Sequence, residues 1–413
     1  MGGELTIIKI TGKTLVGIDI GKTEHAVAIA RENEVDKTFM IANTPTKRTE
    51  FLRQLSDIGS CSIAIEQIGG WATPLDQQLL SAGHQLVTIH PLRLARAREM
   101  YGQPHKDDKR DAEFLLWLLQ ELKQKVIPKP KTKKFQLVVP CKEELQKVKQ
   151  LSRHYHSIVW SKTQASNQLT SLLLCYLPTL ENIFKLFNSW SCLSLLSHAP
   201  CPSQWAKTHG NTMKAWLRHD YPGSKKNIGF GSTKIKKAKK YVWSGDWETL
   251  SEEVSLKIKH LAGRLLLLKK QQRITREKLI ILLSKLPEGK ALMSLPGCGP
   301  ILATTILAEL SPIERFKSHN EVAMYVGLTR VRYESGVKKS TRKVKLVNRR
   351  AKWAFRQLIL LSRYHFLPSK KYIDKKLKEG KTERQARLSL GRQLVKVAVA
   401  LIKTKKPFDP DRC

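Results

Sequence analysis

The strongest constraint on the fold is the run Thr14–Lys22, which is apolar and β-branched and carries only one charge, Asp19, before its closing lysine. A short run of this kind, closed by Gly21, predicts a strand buried in a mostly enclosed sheet. A carboxylate in such a strand needs a cation or a dense set of hydrogen-bond donors, because burying an unpaired charge is costly. Asp19 therefore indicates a metal site, whose other ligands must come from elsewhere in the chain.

The residues after this run predict alternating strands and helices. Further strands are predicted at Ala26–Ala30, Phe39–Ile41, Cys61–Ile65 and Gln85–Ile89, and helices at Thr46–Leu55, Trp71–Leu80, Pro91–Met100 and Phe114–Leu122. Thr46 is the predicted N-cap of the first helix. The order βββαβαβα predicts an α/β domain with a mixed sheet, an antiparallel meander of the first three strands, and helices on the sheet faces.

Three further carboxylates lie where these elements begin or end. Glu66 closes the fourth predicted strand, and Asp108 and Asp111 precede the apolar helix with a spacing that puts both on one helical face. Taken alone, this pair is equally typical of a solvated first helical turn, where the helix dipole favours Asp. Together with Asp19 and Glu66 it favours a cation site, and oxygen ligands favour Mg²⁺ or Mn²⁺ over Zn²⁺.

The charge of the chain indicates a polyanionic partner. It has 74 Lys and Arg against 35 Asp and Glu, a formal net charge of +39, and nucleic acid is the polyanion such a field favours. Charge alone does not separate an enzyme from a binding protein. The seven cysteines contain no Cys-x-x-Cys pair, and no signal segment or membrane-spanning run is evident. We therefore expect a soluble, cytoplasmic, nucleoid-associated protein without a membrane partner.

The middle of the chain predicts long helices. A basic linker begins near Val126, and two apolar seams follow, Val148–Leu172 and Leu261–Leu282, each interrupted by polar residues. They are typical either of antiparallel partners in one chain or of a coiled-coil contact between chains. The intervening Pro200–Lys240 is predicted to be irregular; its Trp205 and Trp216 favour structural burial over base stacking.

Two segments of the last third carry candidate nucleic-acid contacts. Gly297 and Gly299 form a Pro-Gly-x-Gly turn before the helix Ile301–Leu310, which suits a phosphate and resembles a helix-hairpin-helix, although a plain connector has the same pattern. Ser335 lies in a basic segment that attracts phosphate. The candidate contacts around it are Arg330, Arg332, Lys338, Lys339, Arg342, Lys345, Asn348 and Arg349. From the residues alone, a hydroxyl that donates a hydrogen bond to phosphate is the favoured role of Ser335, and a nucleophile is the less favoured one. A closing amphipathic helix is predicted at Glu379–Lys403, with a basic face that is either solvated or a DNA contact.

These motifs resemble a known family. Gly17-Ile18-Asp19, Glu66 and residues 108–112 look like the Asp-Glu-Asp-Asp transposases of the insertion-sequence-110 family, and residues 323–328, 334–336 and 345–350 are similar to its C-terminal domain. The resemblance implies an RNase H-like (RuvC-like) domain at 1–125, a helical or coiled-coil middle at 126–285, and a mostly α-helical transposase domain with a helix-hairpin-helix at 286–413. This sequence departs from the family pattern at Arg330, where proline is usual, and at Val347, where glycine is usual.

The resemblance also implies a mechanism. Ser335 would attack a DNA phosphate and form a transient phosphoserine bond, with Mg²⁺ held by the catalytic acids Asp19, Glu66, Asp108 and Asp111. The implied partners are donor DNA, target DNA, an element-encoded guide RNA and further copies of the chain. Two alternatives stay open: a Holliday-junction resolvase or RNase H-like nuclease that uses metal-activated water, and a non-catalytic nucleic-acid-binding relic.

Overall fold

The computed structural model describes residues 10–31, 34–66, 73–89, 91–100, 107–124, 135–138, 141–184, 187–221, 232–245, 247, 249–335, 338–344 and 347–412. These residues belong to two compact units, Met1–Lys142 and Glu143–Cys413. The predicted domain boundaries after residues 125 and 285 remain predictions, and the predicted basic linker lies largely outside the described residues.

A six-stranded mixed sheet forms the centre of the first unit. Its strands are β1 (Thr14–Ile20), β2 (Glu24–Arg31), β3 (Glu34–Ala42), β4 (Cys61–Glu66), β5 (Gln85–Ile89) and β6 (Phe135–Leu137). Their order across the sheet is β3-β2-β1-β4-β5-β6. The pairs β1–β4 and β4–β5 are parallel, and the other pairs are antiparallel. The predicted meander and mixed sheet are confirmed; β6 was not predicted.

Helices cover both faces of this sheet. They are α1 (Pro45–Ile58), α2 (Thr73–Ser81), α3 (Pro91–Met100) and α4 (Asp108–Gln124). Apolar residues of α1 and α2 form one buried cluster with one sheet face, and those of α3 and α4 form another with the opposite face. Prediction of Thr46 as the first N-cap was wrong: Thr44 Oγ1 accepts from Lys47 N at 3.3 Å, because Pro45 is suited to the first helical position.

The second unit is mostly α-helical. Its helices are α5 (Glu143–Tyr176), α6 (Trp190–His198), α7 (Pro202–Lys207), α8 (Gly210–Asp220), α9 (Ser232–Ser244), α10 (Glu252–Lys285), α11 (Pro287–Met293), α12 (Pro300–Leu310), α13 (His319–Tyr325), α14 (Arg349–His365), α15 (Leu367–Lys378) and α16 (Glu383–Thr404). A two-stranded antiparallel hairpin of β7 (Arg330–Ser335) and β8 (Lys338–Lys343) stands between α13 and α14.

The two predicted seams pack against each other within one chain. They lie on α5 and α10, whose buried leucines share one core cluster. The residues that interrupt the seams also meet: Lys162 Nζ donates to Gln272 Oε1 at 2.6 Å, and Gln272 Nε2 donates to Tyr155 Oη at 3.0 Å. The interruptions therefore form one polar layer between the helices.

The segment after residue 200 is helical, so the prediction of an irregular Pro200–Lys240 was wrong in the described part. Short helices α7, α8 and α9 occupy it. The structural interpretation of Trp205 is confirmed, since its ring is fully buried and its Nε1 donates to Ala199 O at 2.7 Å. Among the described residues, no helix is both long and apolar enough to cross a bilayer.

Candidate active site

The pairing of β1 with β4 places two of the candidate acids side by side. Ile18 pairs with Ile65 in the parallel register, so Asp19 and Glu66, each one residue further along, lie at the same level. Glu66 is the last residue of β4, and Asp19 is the last but one of β1. Residues two apart along a strand share a face. Leu15 and Ala64 belong to the cluster beneath α4, so Asp19 and Glu66 lie on the sheet face that α4 covers.

Gly17 explains how close α4 comes to that face. A Cβ atom at Gly17 would lie 2.1 Å from Ala112 O and 2.6 Å from Leu116 N, which no side chain can do without moving the helix or the strand. Asp108 and Asp111 occupy the first turn of α4, immediately before this contact. The close approach of helix and strand thus carries both aspartates towards the end of β1.

The pKa of Asp19 depends on the other three acids. Burial is the largest cause, and together with the negative charges of Asp111, Glu66 and Asp108 it raises the pKa of this carboxyl from 3.8 to about 6. Only the positive charge of Arg98 acts in the opposite direction. A site that disfavours an isolated carboxylate anion favours a bound cation.

Arg98 is a residue of this site that the sequence analysis missed. Its Nη2 lies 3.0 Å from Asp111 Oδ2, and both side chains are largely buried. The sequence shows three arginines on α3 and no signal that distinguishes this one. Among the described residues, no three His, Cys, Asp or Glu side chains converge closely enough to hold a metal ion. The donor set fits a hard divalent cation, but one of its carboxylates is paired with Arg98.

Ser335 is the last residue of β7, and its backbone pairs with that of Lys338 in β8. The side chains of Ser335, Arg332, Lys338 and Lys339 lie outside what the structure describes, as does the whole of Lys345. Arg330, Arg342 and Arg349 are exposed. Their predicted contacts with nucleic acid, and the predicted catalytic role of Ser335, stay predictions.

Asn348 has a structural role that its sequence context did not reveal. Its Oδ1 accepts from Ala351 N at 2.9 Å and caps α14, and its Nδ2 donates to Glu309 Oε2 at 2.8 Å and to Tyr325 Oη at 2.7 Å. Both donors of the amide are thus used inside the protein. A contact with nucleic acid, as predicted, would require these bonds to rearrange.

Glu309 was also missed, although it is the one carboxylate of an apolar helix, α12. It is buried and accepts from Arg153 Nε and Nη2, both at 3.0 Å. Burial acts to raise its pKa, but Arg153 and Asn348 outweigh burial and hold the pKa below its usual value. This network joins α5, α12 and the N-terminus of α14.

Gly297 is explained by packing. Its φ of 82° lies in the left-handed region, and a Cβ atom there would lie 2.8 Å from Ser362 N on α14. Gly299 is exposed and precedes α12. The predicted phosphate contact of this turn stays a prediction.

The two ends of the chain match models of one transposase family. The model described as Transposase, of the DEDD IS110 type, matches residues 16–178, and the model described as Transposase IS116/IS110/IS902 family matches residues 289–373. The chain belongs to the IS110 family of transposases. This IS110-family member is a DNA transposase, and its predicted family and enzyme class are confirmed.

Relatives of this transposase belong to insertion elements. It is 22% identical over 397 residues to an uncharacterized 44.8 kDa protein of insertion element IS116 from Streptomyces clavuligerus, with 96% of each chain covered. It is 22% identical to a 43.6 kDa protein of IS110 from Streptomyces coelicolor, over 94% of this chain and 93% of the relative. The predicted mobile-element origin agrees with both.

The first unit of the transposase is an RNase H-like domain. The assignment rests on the strand order β3-β2-β1-β4-β5, with β2 antiparallel to its neighbours, and on the matching family model. The structure of Thermus thermophilus RuvC with a Holliday junction is 14% identical and has a TM-score of 0.22, covering 28% of this chain and 96% of that chain. That likeness carries no part of the assignment.

Proposed function

We propose that this transposase cuts and rejoins DNA through a covalent bond between Ser335 and a DNA phosphate. The observation that carries the proposal is that Glu66, Asp108 and Asp111 are near enough to Asp19 for their charges to raise its pKa. The family match over residues 289–373 includes Ser335 and supports its role.

The proposed step conserves the number of phosphate ester bonds. The Ser335 Oγ loses its proton and bonds to phosphorus, while the bond from phosphorus to one deoxyribose oxygen breaks and that oxygen takes up a proton. A deoxyribose hydroxyl of another strand then attacks the phosphoserine, so that Ser335 is released and the strands are joined. No external energy source is needed, because each ester bond replaces another.

Asp19, Glu66, Asp108 and Asp111 are the residues that would hold Mg²⁺ or Mn²⁺. A bound ion would stabilise the charge that develops on the phosphate oxygens. The pKa of Asp19 is raised to about 6, so at neutral pH its carboxyl is mostly ionised and able to serve as a ligand.

The partners we propose are donor DNA, target DNA and a guide RNA encoded by the element. The net charge of +39 supports polyanionic partners, a class that includes both DNA and RNA. To test for a guide RNA, the protein is expressed together with its flanking DNA, and the RNA that copurifies with it is sequenced. We also propose that the protein associates with the nucleoid, which follows from binding DNA.

We propose that copies of the transposase associate. Leu267, Ile274 and Ile281 of α10 are more than half exposed and spaced by seven residues, the period of a coiled-coil seam. Light scattering on the wild type and on Ile274→Lys tests this: the variant is expected to have the lower mass, and equal masses would contradict the role of this row.

The central experiment is a search for the covalent adduct. The transposase is expressed with its flanking DNA, denatured and digested with nuclease, and its peptides are examined by mass spectrometry for a nucleotide on serine. The variants are Ser335→Ala and Asp19→Ala, and the matched control is Ser340→Ala in the facing strand of the same hairpin. A nucleotide on Ser335 that persists in the control and is lost in both other variants is the expected result.

Two other outcomes point elsewhere. Metal-dependent DNA cleavage that survives Ser335→Ala, without an adduct, would favour a nuclease or resolvase that uses activated water. Neither adduct nor cleavage, in a preparation that contains the copurifying RNA, would favour a nucleic-acid-binding relic.

A further inference from the structure

A guanidinium group lies inside the cluster of acids. Arg98 Nη2 is 3.0 Å from Asp111 Oδ2, with 15% of the Arg98 side chain and 3% of the Asp111 side chain exposed. Water therefore screens the pair little, and the interaction is stronger than that of an ordinary surface ion pair.

We propose that Arg98 competes with the divalent metal ion for the Asp111 carboxylate and thereby sets the metal affinity of the transposase. This inference rests on the proposed function, in which Asp111 is a metal ligand. It adds a residue that is not one of the four acids and that acts by withholding a ligand from the metal.

The geometry supports displacement in preference to a permanent structural pair. Arginine holds a carboxylate most firmly with two parallel N–H bonds, yet the buried Nε of Arg98 has no hydrogen-bond partner among the described residues. Arg98 therefore reaches Asp111 Oδ2 through Nη2 and not through a parallel pair of bonds from Nε and Nη2. A pair of this kind can open when a doubly charged ion offers the carboxylate a stronger partner.

Charge acts in the same direction as geometry. Arg98 is close enough to oppose the effect of the acids on Asp19, so its positive charge also repels a cation at the same carboxylates. Arg96 provides a matched comparison, because it is on the same helix, carries the same charge and is exposed.

The test measures binding of Mn²⁺ alone. Wild type, Arg98→Gln and Arg96→Gln are freed of metal with chelator, and free Mn²⁺ is followed by electron paramagnetic resonance during titration at about pH 8, where carboxyl groups are ionised. Arg98→Gln is expected to bind Mn²⁺ about tenfold more tightly than wild type, because a poorly screened positive charge no longer competes for the carboxylates. Arg96→Gln is expected to bind as wild type does.

Thermal unfolding gives a second readout. Without metal, Arg98→Gln is expected to melt below wild type, because Asp111 has lost its cation. Saturating Mn²⁺ is expected to raise its melting temperature by more than it raises that of wild type. A purely structural role of Arg98 would lower the melting temperature without increasing the response to Mn²⁺.

The outcomes are separable. If wild type binds Mn²⁺ and Arg98→Gln binds it equally or more weakly, the inference is overturned while the metal site stands. If neither protein binds Mn²⁺, the proposed metal site fails as well. Should Arg98→Gln not fold, Arg98→Met removes the same charge and keeps an unbranched side chain, and an affinity for Mn²⁺ no tighter than wild type would also overturn the inference.

Discussion

Replacing Arg153 with methionine is expected to destabilise the second unit through the carboxylate it leaves behind. Glu309 is 1% exposed and receives two hydrogen bonds of 3.0 Å from Arg153. Removing one partner of a buried ion pair costs about 3–5 kcal/mol. Arg153 is 44% exposed, and Asn348 retains its bond to Glu309, so we expect a smaller loss than that range, about 2–3 kcal/mol.

A double-mutant cycle assigns this cost to the pair. Arg153→Met, Glu309→Met and the double variant are compared by urea unfolding of the full chain, with exposed Arg276→Met as control, for which a change within about 0.5 kcal/mol is expected. The double variant leaves no buried charge, so it is expected to be more stable than Arg153→Met alone. Additive losses, or a loss below about 0.5 kcal/mol in Arg153→Met, would refute the reasoning.

The pH dependence gives an independent check. The pKa of Glu309 in the folded protein lies below its usual 4.5. A carboxyl with a lowered pKa stabilises the fold above its unfolded-state pKa, and this stabilisation is lost as pH falls through the folded-state value. The difference between wild type and Arg153→Met is therefore expected to be full near neutral pH and to shrink below about pH 4.5. A difference that grows on acidification would contradict this sign.

Three further predictions concern the acids, the sheet and the basic surface. Asp19→Asn is expected to stabilise the metal-free protein by up to about 3 kcal/mol at pH 8, because a carboxyl whose pKa is raised from 3.8 to about 6 destabilises the fold once it is ionised. Thermal melts should show this gain vanishing near pH 4, and the variant should no longer bind metal. Gly17→Ala is expected to destabilise the first unit by about 3 kcal/mol or more in urea, because the new Cβ would meet the backbone of α4. Arg392 and Lys396 line a cleft with a volume of about 260 Å³ and no carboxylate among its lining residues; replacing both with Gln is expected to reduce the salt slope of duplex DNA binding by about 1.8.

Each of these has a contrasting result. A less stable Asp19→Asn at pH 8 would contradict the raised pKa. Gly263→Ala on α10 is the control for Gly17, since nothing lies within 4 Å of its added Cβ, and equal losses in both would contradict the steric argument. Arg387 is the control for the cleft, because it pairs with Glu383 on its own helix. If Arg387→Gln reduces the salt slope by half as much as the double variant does, the effect of the double variant reflects non-specific loss of charge.

The elements of the first unit could be predicted because their signals are local. The run at Thr14 is apolar and closes at glycine, and the observed strand ends at Ile20. Strand Gln85–Ile89 and helix Pro91–Met100 have the predicted bounds. The four acids could be chosen as an ordered set, but their meeting depends on the register of β1 with β4 and on the contact of α4 with Gly17, which are long-range.

Residues defined by their partners could not be predicted. Arg98 resembles the other arginines of α3 until α4 places Asp111 beside it. Lys162 and Gln272 interrupt two apolar seams in sequence, and only the packing of α5 on α10 shows that their side chains hydrogen-bond to each other. The seams themselves were displaced by one residue at their ends, since Leu173 and Leu283 are buried where Leu172 and Leu282 are half-buried.

The hairpin whose first strand, β7, ends at Ser335 shows how the second unit supports its candidate nucleophile. Two strands alone are marginally stable in water, so contacts outside the strands must contribute to holding β7 and β8. Asn348 provides them at the base of the segment, where its backbone N–H donates to Tyr325 O at 2.8 Å and its side chain bonds Tyr325 Oη. Because the same amide bonds Glu309, the base of the hairpin is fixed to the buried network of α5 and α12. We therefore expect a substitution at Arg153 to loosen the base of the hairpin that carries Ser335.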